Sequence, residues 1–369
     1  MKFFLIDNPR EVIPIGCRLL KLFGLDRGEK LKPVYWTHCV LYVLFSVIPR
    51  GLLEINDTVM LLRLGSELAF VCCLFFQKLA LYFRRRHLYR LVDMLQMCMD
   101  KPYSDEIDTF IVRSNAKINK SSVTCCKYFL LAFISYCLVP PIASFAVYVR
   151  NARNDTGIQE EYIISTEMNM YYLDIRYNLL HYSIFTGTIW VLTVTSCLTL
   201  CTKDVVDMSV MKATTLMFQV TAMQIRELRG RISQAQLATV IDSHRDTLLC
   251  AQHLQHALNL SLLVQLTFCS AIWCLMLLYV LLMGFDSRIL NILILLIIVT
   301  IETYAYCKLG TQLTDKGEDV LMALQQLAWY DQSVAIQKQI IFMIRRSQKP
   351  IVLTAGKLFY ANVLQFSEM

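Results

Sequence analysis

Three histidines in one stretch of the chain have the spacing of metal ligands. His253 and His256 are three residues apart, about one helical turn, and His244 precedes them. A metal site needs three or four ligands that converge, and the other three histidines are scattered over distant parts of the sequence. The pattern therefore favours a polar helix surface over a metal centre, and we expect neither a metal nor another cofactor.

Signatures of catalysis are missing from the sequence. It has no Gly-rich phosphate loop, no Gly-x-Ser-x-Gly elbow and no His-Glu-x-x-His motif. Its 369 residues are 56% hydrophobic and 18% charged, with a mean hydropathy of +0.47. Soluble chains are roughly half apolar and about a quarter charged. We therefore predict a membrane protein that is not an enzyme and binds no nucleic acid.

The apolar residues are concentrated in long runs, and a run of about 20 spans a bilayer as a helix. The runs predict an all-α polytopic membrane protein with seven transmembrane helices. The predicted segments are 34–49, 66–83, 124–149, 178–201, 257–284, 289–307 and 350–369. The seventh is the weakest, because it is barely long enough to cross and contains polar residues.

This pattern divides the chain into four parts. Residues 1–33 form a cytoplasmic N-terminal segment, and residues 34–307 hold six transmembrane helices with their loops. Residues 308–349 form cytoplasmic anchor helices, because apolar residues recur there at helical spacing. Residues 203–256 show similar amphipathic spacing, so long cytoplasmic helices and an oligomer are expected. Residues 350–369 are the start of a short seventh helix.

The placement of Lys and Arg predicts the orientation in the membrane. Four alternate stretches carry 28 of these residues, whereas the intervening loops carry 6. The basic stretches are 1–32, 84–127, 202–256 and 308–349. Because positively charged loops stay in the cytoplasm, we predict a cytoplasmic N-terminus. Seven crossings then place the C-terminus outside.

Two sequons agree with this orientation. Asn56 and Asn154 each begin an Asn-Asp-Thr sequence in a loop predicted to lie outside, where a glycan can be attached or the turn can stay bare. None of the 14 cysteines lies in the predicted outer loops, so no extracellular disulfide is expected.

Charged residues and a proline pair interrupt the apolar segments. Lys78 and Glu302 lie inside predicted helices, where a charge usually has a partner or reaches the interface along its own stem. We favour pairing or snorkelling of these side chains over a role in an ion path. Pro140-Pro141 removes backbone donors from the third helix, so a kink or local unwinding is expected there.

A family resemblance rests on the C-terminal region. Trp329-Tyr330 is followed by Ile-Phe-Met-Ile-Arg-Arg-Ser-Gln-Lys-Pro at 341–350 and by Leu-Thr-Ala-Gly-Lys at 353–357. These motifs, together with the order of predicted elements, resemble the insect odorant receptor family. The resemblance implies a tuning subunit of a ligand-gated, non-selective cation channel. It also implies a heterotetramer with a co-receptor in the plasma membrane of an olfactory sensory dendrite.

The resemblance further implies where the pore and the ligand lie. The last helix surrounds the pore in that family, which implies pore-lining roles for Leu364 and Gln365. This chain differs by stopping at Phe366-Ser-Glu-Met369, where relatives continue with another apolar stretch. We therefore expect a pore-lining end that is shortened or missing, and little conduction by this chain alone.

Odorants bind in the outer half of the helix bundle in that family. Here the outer half carries mostly apolar and aromatic side chains with a few hydroxyls, which suits a small apolar volatile. Ordinary helix packing is the alternative for each of them. The predicted ligand-binding residues are Phe70, Leu74, Ile142, Ser144, Phe145, Tyr148, Tyr182, Phe185, Thr186 and Ile189.

Two other receptor classes share part of this pattern. Insect gustatory receptors have five apolar residues between Thr-Tyr and Gln-Phe in their last helix, whereas four residues separate Tyr360 from Gln365 here. A G-protein-coupled receptor requires the opposite orientation, and the Asp174-Ile-Arg-Tyr sequence lies in a predicted outer loop rather than at a helix end. A transporter would more commonly show two matching halves.

Overall fold

The computed structural model describes most of the chain. The described residues are 2–6, 8–25, 27, 33–53, 58–153, 159–164, 166, 168–171, 173–283 and 289–368. Both predicted sequons, at Asn56 and Asn154, lie outside these residues. Within them the fold is helical apart from one short hairpin, so the all-α prediction is confirmed.

Long helices dominate the structure. Five of them, α4 to α8, have 38 to 50 residues each. At about 1.5 Å per residue this is roughly 1.9 to 2.5 times the roughly 30 Å hydrocarbon thickness of a bilayer. The helices are α1 (Pro14–Leu22), α2 (Pro33–Tyr42), α3 (Ile48–Gly51), α4 (Thr58–Met99), α5 (Asp105–Arg153), α6 (Leu179–Glu227), α7 (Gln234–Met283), α8 (Ile289–Gln326), α9 (Val334–Ser347) and α10 (Val363–Glu368).

Four helices in the described residues are long and apolar enough to span a membrane: Met60–Met99, Asp105–Arg153, Leu179–Glu227 and Gln234–Leu282. Each continues well beyond its apolar part, so the amphipathic stretch at 203–256 extends α6 and α7, whereas Val334–Ser347 is a separate helix. The first predicted segment is less regular, because a π-helical stretch at Val43–Val47 joins α2 to α3.

The main hydrophobic core lies in the polar extensions rather than in the apolar parts. Leu88, Leu91 and Leu95 of α4 pack there with Val206 of α6 and Leu254 of α7, all fully buried. The N-terminal segment joins this core. The Val12 backbone N–H donates to Gln96 Oε1 at 2.9 Å, and α1 approaches α6. The basic half of the bundle is therefore a packed body of its own.

The apolar parts of the helices expose many large side chains, as expected of a surface that faces lipid. In the most apolar 18-residue stretch of α5, only 19% of the residues are buried inside the protein. Helices in lipid gain nothing from hiding apolar groups, so apolar residues remain on the outside. The protein is accordingly a multi-pass membrane protein.

Helix α5 passes through Pro140 and Pro141 without interruption. Of the two expected outcomes, local unwinding is therefore wrong, and a kink stays a prediction. A proline removes one hydrogen bond, to the carbonyl four residues earlier, and neighbouring groups can replace it. The carbonyl that Pro141 leaves free, that of Cys137, accepts a hydrogen bond from Trp190 Nε1 at 3.0 Å.

The predicted start of a seventh helix near residue 350 is also wrong. Residues 354–360 form a hairpin in which β1 (Thr354–Ala355) pairs with β2 (Phe359–Tyr360). Gly356 and Lys357 both have positive φ, +61° and +62°, as a type I′ turn requires. The short helix α10 begins only at Val363.

Side chains of two helices hold the hairpin in place. Gln255 of α7 binds the backbone N–H and C=O of Thr354 at 2.8 and 2.9 Å, and Thr314 of α8 donates to the Ile351 carbonyl at 2.7 Å. These bonds give hydrogen-bond partners to backbone groups that, in a helix, would pair with each other. A Cβ on Gly310 of α8 would lie 1.8 Å from the Ala361 carbonyl oxygen, so only glycine allows this approach.

Candidate functional site

One end of the bundle holds an apolar cluster beneath the loop that connects α5 to α6. We call it the loop-end cluster. Its buried members come from the α2 helix, α4, α6 and the loop itself. They are Tyr42, Val71, Leu74, Met168, Met170, Ile175, Phe185, Ile189 and Leu192, with Phe70 packed against them. The structure thus brings together four of the predicted ligand-binding residues: Phe70, Leu74, Phe185 and Ile189.

The loop closes over this cluster because its backbone is fixed at several points. The Ser144 hydroxyl both donates to the Ile163 carbonyl and accepts from the Ile163 N–H, each at 2.9 Å. The Asn169 N–H donates to the Pro49 carbonyl at 3.0 Å. Ser144 was predicted to bind ligand, but here both of its hydrogen-bonding functions serve the loop.

A buried arginine provides a second attachment for the loop. Arg50 donates to the Ser46 carbonyl at 2.6 Å and to Thr166 Oγ1 at 2.8 Å, and Thr166 in turn donates to Glu67 Oε2 at 2.8 Å. A charge buried at this depth requires such partners. Sequence reasoning missed these residues, although a charged residue beside an apolar segment was a usable signal.

The outer surface of the loop carries an exposed ion pair. Hydrogen bonds from Tyr177 and Arg176 lower the pKa of Glu161. Asp174 Oδ1 accepts from the Arg176 and Tyr177 backbone N–H groups at 3.2 and 3.1 Å, which fixes the turn before α6. The described residues of the loop are therefore held by hydrogen bonds on both the cluster side and the exposed side.

A narrow cleft lies beside the cluster, between α5 and α6. Its empty interior is about 10 Å³, which is room for roughly one water molecule. Its lining includes Tyr182, Phe185, Thr186 and Ile189 from the predicted set, opposite the proline pair of α5. Tyr182 also donates to the Ile163 carbonyl at 3.3 Å and packs against Tyr162, with ring centres 5.1 Å apart.

Three predicted ligand-binding residues do not belong to this site. Ile142, Phe145 and Tyr148 are 66%, 67% and 42% exposed on α5. The inward face of α5 carries Ser144 and Val147. At about 100° per residue, Ile142 and Phe145 point well away from Ser144, whereas Tyr148 lies about one turn beyond it on a neighbouring line. They lie outside the cluster and the lining of the cleft. Because an apolar helix surface can face lipid as well as ligand, their role in ligand binding stays a prediction.

A polar network joins four helices below the apolar cluster. Lys203 of α6 binds Glu302 of α8, and its Nζ lies 2.8 Å from Gln265 Oε1 of α7. Tyr306 donates to Asp204 Oδ1 at 2.8 Å. The expected pairing of Glu302 is present, whereas Lys203 and Asp204 were placed in a cytoplasmic stretch by the sequence and are buried here.

The network continues to α4 and includes a second ion pair. Arg84 lies 2.5 Å from Asp207, whose other oxygen accepts from Ser261 at 3.0 Å. Lys78 is only 3% exposed, and its Nζ lies 4.1 Å from the centre of the Tyr42 ring. The snorkelling alternative for Lys78 is therefore wrong, and a cation–π contact takes its place.

The predicted pore residues lie on the C-terminal helix, and the histidines form no metal site among the described residues. Leu364 is 68% exposed on α10, and the Gln365 N–H donates to Asn362 Oδ1 at 2.8 Å at the start of that helix. Among the described residues no group of three potential metal ligands converges. His256 instead lies beside His87, with ring centres 5.9 Å apart.

Known structures have the same fold. The chain superposes on the insect olfactory receptor OR5 from Machilis hrabei in complex with eugenol with a TM-score of 0.76, over 96% of this chain and 93% of that one. A second structure of the same receptor superposes with a TM-score of 0.68, again over 96% of this chain and 93% of that one. The sequence identities are 13% and 12%, so these likenesses show the fold alone.

Sequence comparisons give the family. Odorant receptor 19a and putative odorant receptor 19b of Drosophila melanogaster are each 29% identical over 138 residues. That match spans 37% of this chain and 35% of each relative. The family model described as 7tm Odorant receptor matches residues 64–369, which is most of the chain. The chain therefore belongs to the insect odorant receptor family, a family of membrane receptors rather than enzymes.

Proposed function

We propose that this protein is the ligand-binding subunit of an odorant-gated, non-selective cation channel that it forms with a co-receptor. Its ligand is a small, mostly apolar volatile, and it acts in the plasma membrane of an olfactory sensory dendrite. The N-terminus lies in the cytoplasm, so the loop-end cluster is in the outer half of the membrane. The observation that carries this proposal is the closed apolar cluster beneath the loop that joins α5 to α6.

Such a cluster suits an apolar volatile for physical reasons. Its side chains offer area and shape, while Thr186 in the adjoining cleft offers a hydroxyl for orientation. The interior of the cleft is smaller than any odorant, so binding must separate α5 from α6 or move the loop. A ligand that binds the widened state better than the closed one shifts the population toward it.

Helix α6 supports a route from this cluster to the pore. It carries Phe185 and Ile189 in the cluster and Lys203 in the polar network, where Lys203 binds Glu302 of α8. Helix α8 in turn contacts α10, which holds the proposed pore residues Leu364 and Gln365. A movement of α6 against α8 would therefore reach the C-terminal helix.

Two phenylalanines in the outer half provide a matched test. Phe185 is 1% exposed within the cluster, whereas Phe145 is 67% exposed on α5. Removing a buried contacting ring costs on the order of 1.5 to 3 kcal/mol, or roughly ten- to a hundredfold in affinity. With the co-receptor present, Phe185→Ala should shift the dose-response curve to higher concentration by that factor, and Phe145→Ala should leave it in place.

Both variants need a measure of surface expression, because Phe185→Ala also leaves a cavity in the fold. The ligand panel should start with eugenol, which the Machilis receptor is described as binding. A ligand whose potency is unchanged by Phe185→Ala at equal surface expression would remove the cluster as its binding site.

The proposed orientation has its own test. With a cytoplasmic N-terminus, Asn56 and Asn154 both face the outside and can carry glycans. Glycosidase treatment of protein made in insect cells should then increase its electrophoretic mobility, and the double change Asn56→Gln with Asn154→Gln should abolish that effect. An N-terminal tag that antibodies reach on intact cells would contradict the orientation.

A further inference from the structure

A groove separate from the loop-end cluster lies between the N-terminal segment and α5. Its volume is about 400 Å³. Residues at helical spacing on one face of α5 form one wall, and the N-terminal segment forms the other. The lining residues are Ile6, Pro9, Ala116, Asn119, Lys120, Val123, Thr124 and Lys127. The groove shares no residue with the loop-end cluster or with α10.

The polar side chains of the groove are those that bind an anion bearing a hydrogen-bond donor. Lys120 and Lys127 lie two turns apart on the same face, and both are exposed. In the part of the chain that the structure describes, neither has a carboxylate partner. Asn119 is 3% exposed, and its Oδ1 has no hydrogen-bond partner among the described groups. The lysines leave two positive charges for a ligand, and Asn119 leaves one acceptor.

The same face of α5 continues as an apolar stripe. Leu131, Ile134 and Leu138 follow Lys127 at helical spacing and are 61%, 42% and 46% exposed. Basic residues thus pass directly into exposed apolar surface along one line. A soluble anion would use only the first part of this line, whereas an amphiphile with an anionic head and apolar chains would use all of it.

The groove also lies at the depth of a lipid headgroup. The apolar run of α5 begins at Thr124, which is part of the groove wall. Tyr128, 71% exposed, follows within one turn, and exposed tyrosines are typical of the membrane interface. In the proposed orientation this is the cytoplasmic leaflet, the leaflet that holds anionic lipids.

We propose that this groove binds an anionic phospholipid of the cytoplasmic leaflet whose headgroup carries hydroxyls, as phosphatidylinositol does. The phosphate lies between Lys120 and Lys127, a headgroup hydroxyl approaches Asn119, and the acyl chains follow Leu131 and Ile134. The lipid bridges the N-terminal segment and α5. The choice of leaflet rests on the proposed orientation of the receptor.

Lipid binding to the full-length chain in detergent tests this site. Native mass spectrometry would measure the binding of phosphatidylinositol, with phosphatidylcholine and water-soluble inositol 1-phosphate as separate arms. At roughly 1 kcal/mol for each basic residue near a lipid surface, the double change Lys120→Gln with Lys127→Gln should weaken phosphatidylinositol binding about 30-fold. Lys117→Gln is the control, because Lys117 is exposed on the same helix outside the groove.

A second variant distinguishes lipid binding in the groove from nonspecific electrostatic attraction to the basic surface. Ala116→Trp keeps every charge but fills the groove, and it should also weaken phosphatidylinositol binding at least tenfold. Equal losses in Lys117→Gln, full binding by Ala116→Trp, or equal binding of phosphatidylcholine would each overturn the proposal. Inositol 1-phosphate binding as tightly as the lipid would assign the groove to a soluble anion and overturn it too. Because channel current is not measured, these outcomes are independent of odorant gating.

Discussion

A single indole replaces the hydrogen bond that Pro141 removes from α5. Pro141 has no N–H to donate to the Cys137 carbonyl, and Trp190 of α6 supplies the missing hydrogen bond at 3.0 Å. Both residues lie beside the cleft where the proposed ligand must separate α5 from α6. The bond therefore stabilises the closed arrangement of these two helices.

Replacing this indole should loosen the contact between α5 and α6. Trp190→Phe keeps an aromatic ring but removes the donor, so it should reduce the free energy of unfolding by about 1 kcal/mol. Thermal unfolding of the purified chain in detergent measures this change. Trp273→Phe is the matched control, because Trp273 Nε1 has no hydrogen-bond partner among the described groups. Equal losses in both variants would show that ring size, not the hydrogen bond, is responsible.

The predicted ligand-binding residues differ in their exposure in the structure. Leu74, Phe185 and Ile189 are in the loop-end cluster as expected, whereas Ile142 and Phe145 are exposed on α5. The difference has a physical cause. In a soluble helix the polar face marks the outside, but in a bilayer the lipid-facing and core-facing sides are both apolar. Periodicity therefore cannot orient α5.

At the scale of elements, the C-terminal hairpin links the helical bundle to α10. Its turn residues Gly356 and Lys357 belong to the Thr-Ala-Gly-Lys motif, and a Cβ on Gly356 would lie 2.8 Å from a methyl carbon of Leu263 on α7. The motif therefore encodes a tight turn pressed against α7. The sequence motif was recognised, but the surrounding apolar residues suggested a helix.

Substitution of the turn glycine should release this element. Gly356→Ala adds a steric contact and a strained positive φ, which should cost on the order of 1 to 3 kcal/mol. Thermal unfolding of the detergent-solubilised chain checks this value. Gly187→Ala is the control, because Gly187 lies within α6 with open space around its Cα, and alanine there favours the helix. If both variants unfold at the wild-type temperature, the hairpin is not under the constraint described.

The helices on either side of the α5–α6 loop were easier to predict than the loop itself. The extensions of α6 and α7 follow the amphipathic pattern at 203–256, so their helical character was predictable. The role of the loop between α5 and α6 was not, because Met168 and Met170 reach the loop-end cluster from a segment without periodicity. Only the many apolar residues within this otherwise polar loop could have indicated that it packs against the cluster.

On the scale of the whole molecule, the fold combines an apolar region beneath the α5–α6 loop with a charged middle and a packed basic end. The ion pairs Lys203–Glu302 and Arg84–Asp207 lie between these regions and tie α4, α6 and α8 together. Sequence alone identified Glu302 as a charge in need of a partner. It could not identify Lys203, because a lysine at the end of an apolar run normally reaches the interface.

We propose that the ligand opens a channel to which this chain contributes, without a G protein. Current in an excised outside-out patch, from cells expressing the chain with the co-receptor and perfused internally without GTP, tests it most directly. We expect an effective odorant to open cation channels in the isolated patch, and Phe185→Ala to raise the concentration required. Odorant currents that are present in whole cells but lost in every GTP-free patch would contradict it.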